Sequence, residues 1–373
     1  MDGVGDYTRL LAGQLAESGH LCLLVALADP HVAEVTRGEA GTPQKRMPVL
    51  RIPAAAAWPE RVAQAGDACD QFDPDWISFQ VVPYAYDPRG LCFGLGAHFD
   101  AIAGDGPSQI MFHEIWIGEA EDTPLKKRLV GKVQRHIIKD LLQKLRPRVV
   151  HTHTPLYRHL LGKVGAKAKL LPLFANISYP AGAKANPEWL AEKWPAGWGK
   201  INASGRGNWW IFVFFGTIHP EWDAEDFVRR AGAAAQRAGK SCALVFVGRA
   251  GGEGERVWHA LRRHESASWM MVTLGPQAPA DISQCLLAAD FGVSPVPPEY
   301  LTKSSTAMAM LEHGLPVIVT RPASRYRNCP DQLLEPGLEN VITDFDLASA
   351  RKTEPRQRLP QVAEQFIADL RAG

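Results

Sequence analysis

Apolar positions along the chain fall into two successive series. Each alternates short continuous runs with runs at helical spacing. In the first series Leu10, Leu11, Leu15 and Ala16 lie on one helical face and Gly19 ends the run, so a helix is expected over 7–18. The apolar run 20–27 then reads as a buried parallel strand. Further strands are expected at 49–53, 76–82, 109–112, 149–152 and 170–174, with a long helix over 125–145. The period is lost over 178–208, which is rich in Pro, Gly, Ala and Trp and reads as a linker with flanking loops.

The second series gives strands at 209–215, 242–247, 270–274, 291–294 and 317–320. Helices are expected at 226–238, 256–263, 282–289 and 306–313, with a terminal helix at 361–371. Two βα series imply an α/β protein of two Rossmann-like domains facing a central cleft. The expected boundaries are 1–178 for the first domain, 179–207 for the linker, 208–355 for the second domain and 356–373 for the terminal helix.

The chain opens on Met1-Asp2-Gly3-Val4-Gly5-Asp6-Tyr7, a glycine-rich turn running into the first helix. Such a turn normally joins a first strand to a first helix and offers free N–H groups to an anion. No strand precedes it, so either the true start lies upstream or the first sheet is expected to lack its first strand. Gly3 and Gly5 are candidate phosphate contacts; a turn that merely packs is the alternative.

Composition narrows the classes. A net charge of +1 gives no field that would steer the chain toward nucleic acid. No apolar run is long enough for a membrane helix, and no signal peptide is evident. The six cysteines are scattered, which fits reduced thiols and a cytoplasmic setting rather than disulfides or zinc. The long helix carries Lys126, Lys127, Arg128, Lys132, Arg135 and Lys139. Solvation explains such a face; a peripheral position on anionic lipid at the inner membrane face, or a phosphorylated acceptor, is the minority reading.

The strongest local chemistry lies at 294–308. A strand ends, a proline-stiffened loop follows, and Lys303, Ser304, Ser305 and Thr306 stand where a helix begins. Helix N–H groups and a lysine make a phosphate cradle; N-capping alone would need one hydroxyl. In the loop Gly248-Arg249-Ala250-Gly251-Gly252-Glu253-Gly254 the glycines permit close approach and Arg249 can reach a phosphate; a flexible surface turn is the alternative. His113 and Glu114 follow a strand of the first domain. The imidazole suits a sugar hydroxyl or an acceptor proton, and Glu114 suits orienting it. A structural histidine is the alternative.

The run Met308-Ala309-Met310-Leu311-Glu312-His313-Gly314-Leu315-Pro316 resembles the nucleotide-sugar end of GT-B glycosyltransferases. The Gly3–Tyr7 turn and Phe214-Phe215-Gly216-Thr217 resemble two other loops of that superfamily. The resemblance is closest to its retaining family of sucrose and mannosyl transferases. It implies a glycosyltransferase using a nucleotide-diphosphate sugar as co-substrate, without a cofactor or required metal. The acceptor would be a glycan, a lipid-linked molecule or a small molecule.

The pattern departs from the family at four places. Thr217 and Trp222 stand where an Arg and a Lys are usual, and Leu301 and Ala309 where a pair of glutamates is usual. Lys303 with Ser304 and Ser305 is expected to supply the missing charge. Glu299 is expected to replace the missing carboxylate toward donor sugar or ribose. The competing readings are a degenerate GT-B protein that binds without catalysis, and a GT-B epimerase.

Overall fold

The computed structural model describes residues 3–42, 45–179, 182–334 and 338–373. Met1 and Asp2 of the glycine-rich start, and Pro180 and Ala181 of the expected linker, lie outside the described residues. The chain forms two compact units. One comprises Met1–Pro172, Ser324–Leu333 and Leu359–Gly373; the other comprises Leu173–Ala323 and Leu334–Arg358.

The first unit runs α1 (Gly3–Glu17), β1 (Leu24–Asp29), β2 (Thr36–Thr42), β3 (Lys45–Pro53), α2 (Trp58–Phe72), β4 (Ile77–Val81), α3 (Leu95–Ala103), β5 (Ser108–Phe112), α4 (Leu125–Leu145), β6 (Val149–Thr152), α5 (Pro155–Gly162) and β7 (Lys169–Leu170). Its strands form two hydrogen-bonded sets, β1-β3-β2 and β4-β5-β6-β7. The second set is wholly parallel, as strands joined by crossover helices must be. Both β1 and β4 are edges. Among the described residues α1 is the first element.

Two expectations change here. Gly3 and Gly5 are not in a turn: both lie in the first turn of α1, and neither has a positive φ. The helix starts at Gly3 because Tyr7, Leu11 and Leu15 already share its buried face. The hairpin β2/β3 was not anticipated. It pairs antiparallel from Thr36↔Arg51 to Thr42↔Lys45, with mostly polar residues on β2 that give little periodic signal.

The second unit begins with α6 (Pro187–Lys193) and α7 (Pro195–Ala203), so the expected linker is largely helical. Prolines at the first helical positions, which read as loop signals, start these helices instead. Then come β8 (Trp209–Thr217), α8 (Ala224–Arg237), β9 (Ser241–Arg249), α9 (Gly251–Arg262), β10 (Trp269–Gly275), α10 (Pro279–Ala288), β11 (Phe291–Ser294), α11 (Ser305–Glu312), β12 (Val317–Val319) and β13 (Val341–Ile342). They form one parallel sheet in the order β10-β9-β8-β11-β12-β13. The order reverses between β8 and β11, and such a point opens a crevice beyond the strands' carboxyl ends. Phe212, Phe214, Phe227, Trp269 and Phe291 build an aromatic core on this sheet. The last helix, α12 (Leu359–Arg371), belongs to the first unit.

Candidate functional site

In the second unit, the residues picked from sequence meet at the switch point. Thr217, the last residue of β8, pairs with Arg249, the last of β9. Gly216 takes φ 120° and Gly248 φ 143°, conformations that favour glycine. A Cβ on Gly248 would overlap the Gly216 carbonyl oxygen, and one on Gly216 would come within 3.0 Å of Thr306 Cγ2. The glycines therefore draw the ends of β8 and β9 and the start of α11 together. Beyond β11 the chain passes through a 3-10 turn, Pro298–Lys303, before α11 begins at Ser305.

Ser304 is the N-cap of α11. Its hydroxyl accepts the Ala307 N–H at 3.3 Å and lies 3.1 Å from Thr306 Oγ1. The N–H groups of Ser305 and Thr306 then have no acceptor within the helix. Lys303 lies over the Tyr300 ring at 5.4 Å. Glu299 is buried in the same turn. The predicted loop 248–254 is shorter than expected. Gly251, Gly252 and Gly254 open α9, whose N-terminus has no side-chain cap. Two uncapped or partly capped helix starts, with Arg249 and Lys303 beside them, form a concentration of positive potential.

Of the four positions at which the sequence departs from the resembled family, Thr217 is exposed and the other three are core positions. Trp222 is 4% exposed and packs on Phe214 at 4.6 Å between ring centres. Leu301 and Ala309 are fully buried.

In the first unit, His113 sits just beyond β5. Its backbone N–H donates to the Val81 carbonyl at 3.1 Å. Tyr7 of α1 meets the His113 ring edge-on at 4.8 Å and the His153 ring at 5.3 Å. The first turns of α1 thus lead to the carboxyl ends of β5 and β6, although Gly3 and Gly5 themselves are exposed. Burial pushes the Tyr7 hydroxyl well above its usual range, so it stays protonated.

A continuous polar chain runs through this unit. His153 Nδ1 lies 2.9 Å from the Leu171 carbonyl, and His153 Nε2 lies 3.1 Å from His113 Nδ1. His113 Nε2 lies 2.9 Å from Gln80 Oε1. Gln80 Nε2 donates to Ser78 Oγ, and Ser78 Oγ donates to Gln109 Oε1. Gln109 Nε2 lies 3.1 Å from His151 Nδ1, and His151 Nε2 lies 3.1 Å from Asp369 Oδ2. Lys169 donates to the other Asp369 oxygen at 2.8 Å.

Both ends of this polar chain, a carbonyl and a carboxylate, only accept. The seven contacts need seven donors. Each of the six intervening side chains, when neutral, supplies one. The carboxylate does not make up the difference: burial pushes the Asp369 pKa up, but the hydrogen bonds from Lys169 and His151 together hold it below its usual value. A chain in which all seven contacts are hydrogen bonds therefore requires one doubly protonated imidazole. With the amides oriented as found, that ring would be His113, whose two ring nitrogens face an imidazole nitrogen and an amide oxygen. Burial lowers the His151 pKa and keeps that ring neutral. Turning both amides over would move the proton to His151.

His113 was visible in the sequence as a polar residue at a strand end. His151 in β6 and His153 just beyond it have the alternating spacing of a strand, which signals no role. Among the described residues no group of three His, Cys, Asp or Glu is placed to hold a metal. Asp369 gave no signal, because it lies far away in sequence on α12. Glu114 follows His113 and is half-buried, with its N–H 3.5 Å from the same Val81 carbonyl.

No protein-family model matches the chain, and no curated protein matches it in sequence. Solved structures do match. Sucrose-phosphate synthase from Thermosynechococcus elongatus is 15% identical with a TM-score of 0.55, over 98% of this chain and 84% of that one. Trehalose 6-phosphate synthase from Burkholderia multivorans is 10% identical with a TM-score of 0.57, over 99% and 95%. HepE from Anabaena, in complex with UDP and glucose, is 16% identical with a TM-score of 0.50, over 99% and 88%. The chain has the two-domain α/β fold of the GT-B glycosyltransferases. At such identities the likeness is one of fold.

Proposed function

We propose that the chain is a glycosyltransferase that takes its sugar from a nucleotide-diphosphate donor held by the second unit. The carrying observation is the contact of Gly216 with Thr306, which brings the end of β8 to the start of α11 at the switch point. Arg249, Lys303 and the N–H groups of Ser305 and Thr306 would hold the diphosphate and stabilise its charge as it leaves. Glu299 would orient the donor sugar or ribose. Fixed cations and helix ends suffice for this leaving group, so the reading requires no metal.

His113 would contribute from the first unit, toward the acceptor. With its two ring nitrogens engaged by His153 and Gln80, it would shape the acceptor region rather than accept an acceptor proton. Glu114 next to it is the better candidate for a base. A UDP complex of HepE supports the donor class, and the acceptor is left to experiment.

A second reading has a specific observation behind it. Trp222, Leu301 and Ala309 fill with core side chains the positions where the resembled family places charged groups. That favours a protein that binds a nucleotide sugar without transferring it. One experiment separates the readings: thermal shift against UDP, GDP, ADP and their sugars, followed by nucleotide release in the presence of candidate acceptors. A ligand at 100 times its Kd stabilises by about 2.7 kcal/mol. A shift lost in Lys303→Ala together with release supports the enzyme; a shift without release supports the binding protein. No shift with any nucleotide overturns both.

A further inference from the structure

We propose that the outward face of the first half of α4 docks onto a bilayer bearing anionic headgroups. This inference is independent of the donor site. Leu125, Leu129 and Val133 recur every fourth residue and so form one stripe along the helix. They are 76%, 63% and 39% exposed, while Gln134, Ile137, Ile138 and Leu141 bury the opposite side. Leucines this exposed, in register, are not explained by the unit's own packing.

The flanks point to the occupant. Lys126, Lys127, Lys132 and Lys139 are exposed and make no ion pair among the described residues. Arg128 and Arg135 are engaged by the protein: Arg128 donates to the Glu121 carbonyl, and Arg135 donates to the Lys163 carbonyl and lies over the Trp116 ring. Between Lys126 and Lys139 the helix has no acidic residue. The nearest acids are Glu121 and Asp122 before it and Asp140 after it.

A second copy of this face would set lysine against lysine. The complementary surface is therefore negative outside and apolar beneath, which is the order of layers in an anionic bilayer. The leucines would enter the boundary of the acyl chains, and the lysines would reach back to the phosphates. With three apolar residues, attachment needs both contributions and is reversible.

The test is co-sedimentation of the full chain with vesicles of phosphatidylcholine alone and of phosphatidylcholine with phosphatidylglycerol. Binding is expected only to the anionic vesicles and should weaken with salt. It should be abolished in Leu125→Ser/Leu129→Ser and fall about fivefold per lysine in Lys126→Glu/Lys132→Glu. Melting curves of the variants should match the parent, since the substituted side chains are exposed. No vesicle binding, equal binding to both compositions, or binding unchanged in the leucine variant would overturn the proposal. A dimer in size-exclusion chromatography that the leucine variant abolishes would also overturn it, in favour of self-association.

Discussion

His113 Nδ1 stands 3.1 Å from His153 Nε2, with Tyr7 edge-on to both rings. Two neutral imidazoles satisfy that contact, but the rest of the chain to Asp369 does not close without one extra proton. Nitrogen-15 spectra of histidine-labelled protein at neutral pH should show one imidazolium among His113, His151 and His153, assigned with single His→Gln variants. Three neutral rings would refute the count. His153→Phe should cost about 1–3 kcal/mol by urea unfolding, because it leaves a buried donor of His113 without its acceptor.

Glu312 provides the clearest pH dependence. Its carboxylate accepts the Ala175 N–H at 2.7 Å and the Arg358 N–H at 3.2 Å, tying early and late segments of the second unit to the end of α11. Burial nevertheless outweighs these bonds and raises its pKa from 4.5 to about 7. The native state thus holds this proton more tightly than the unfolded chain does. The stability it contributes is fully present below pH 4.5 and is lost as pH rises through about 7. Glu312→Gln should therefore gain on the parent by up to about 3 kcal/mol as the pH rises across that window. A stability difference independent of pH would show that the carboxyl ionises normally.

Gly248→Ala should destabilise the second unit by about 3 kcal/mol, since the new Cβ would meet the Gly216 carbonyl at a positive φ. Gly252→Ala is the control: nothing lies within 4 Å of its Cβ position, so its melting temperature should stay near the parent's. Equal effects would contradict the close approach of β8 and β9.

Trp222→Lys tests whether a cation can be restored where the resembled family has one. The ring packs against Phe214 and Phe227 in the core. The substitution should cost about 3–5 kcal/mol and leave nucleotide affinity no better, as measured by calorimetry on protein that remains folded. A gain in affinity would mean that residue 222 can reach the ligand.

The alternation of apolar runs determined most of the elements, because buried parallel strands and helix faces are local patterns. β11 falls on the expected residues, and α11 begins within one residue of where Lys303 to Thr306 pointed. The first turn of α1 was misread because glycine permits a turn and a helix alike; only the packing of Tyr7 and Leu11 selects the helix. Prolines 187 and 195 were misread as loop for a similar reason, since proline suits both a loop and a helix start. Strand order, the contact of Gly216 with Thr306, and the burial of Trp222 were decided by tertiary structure. So was the polar chain from His113 to Asp369, which joins residues more than 200 positions apart. Such relationships depend on which strands become neighbours, and hydrogen-bonding capacity carries no record in sequence of the partner it will find.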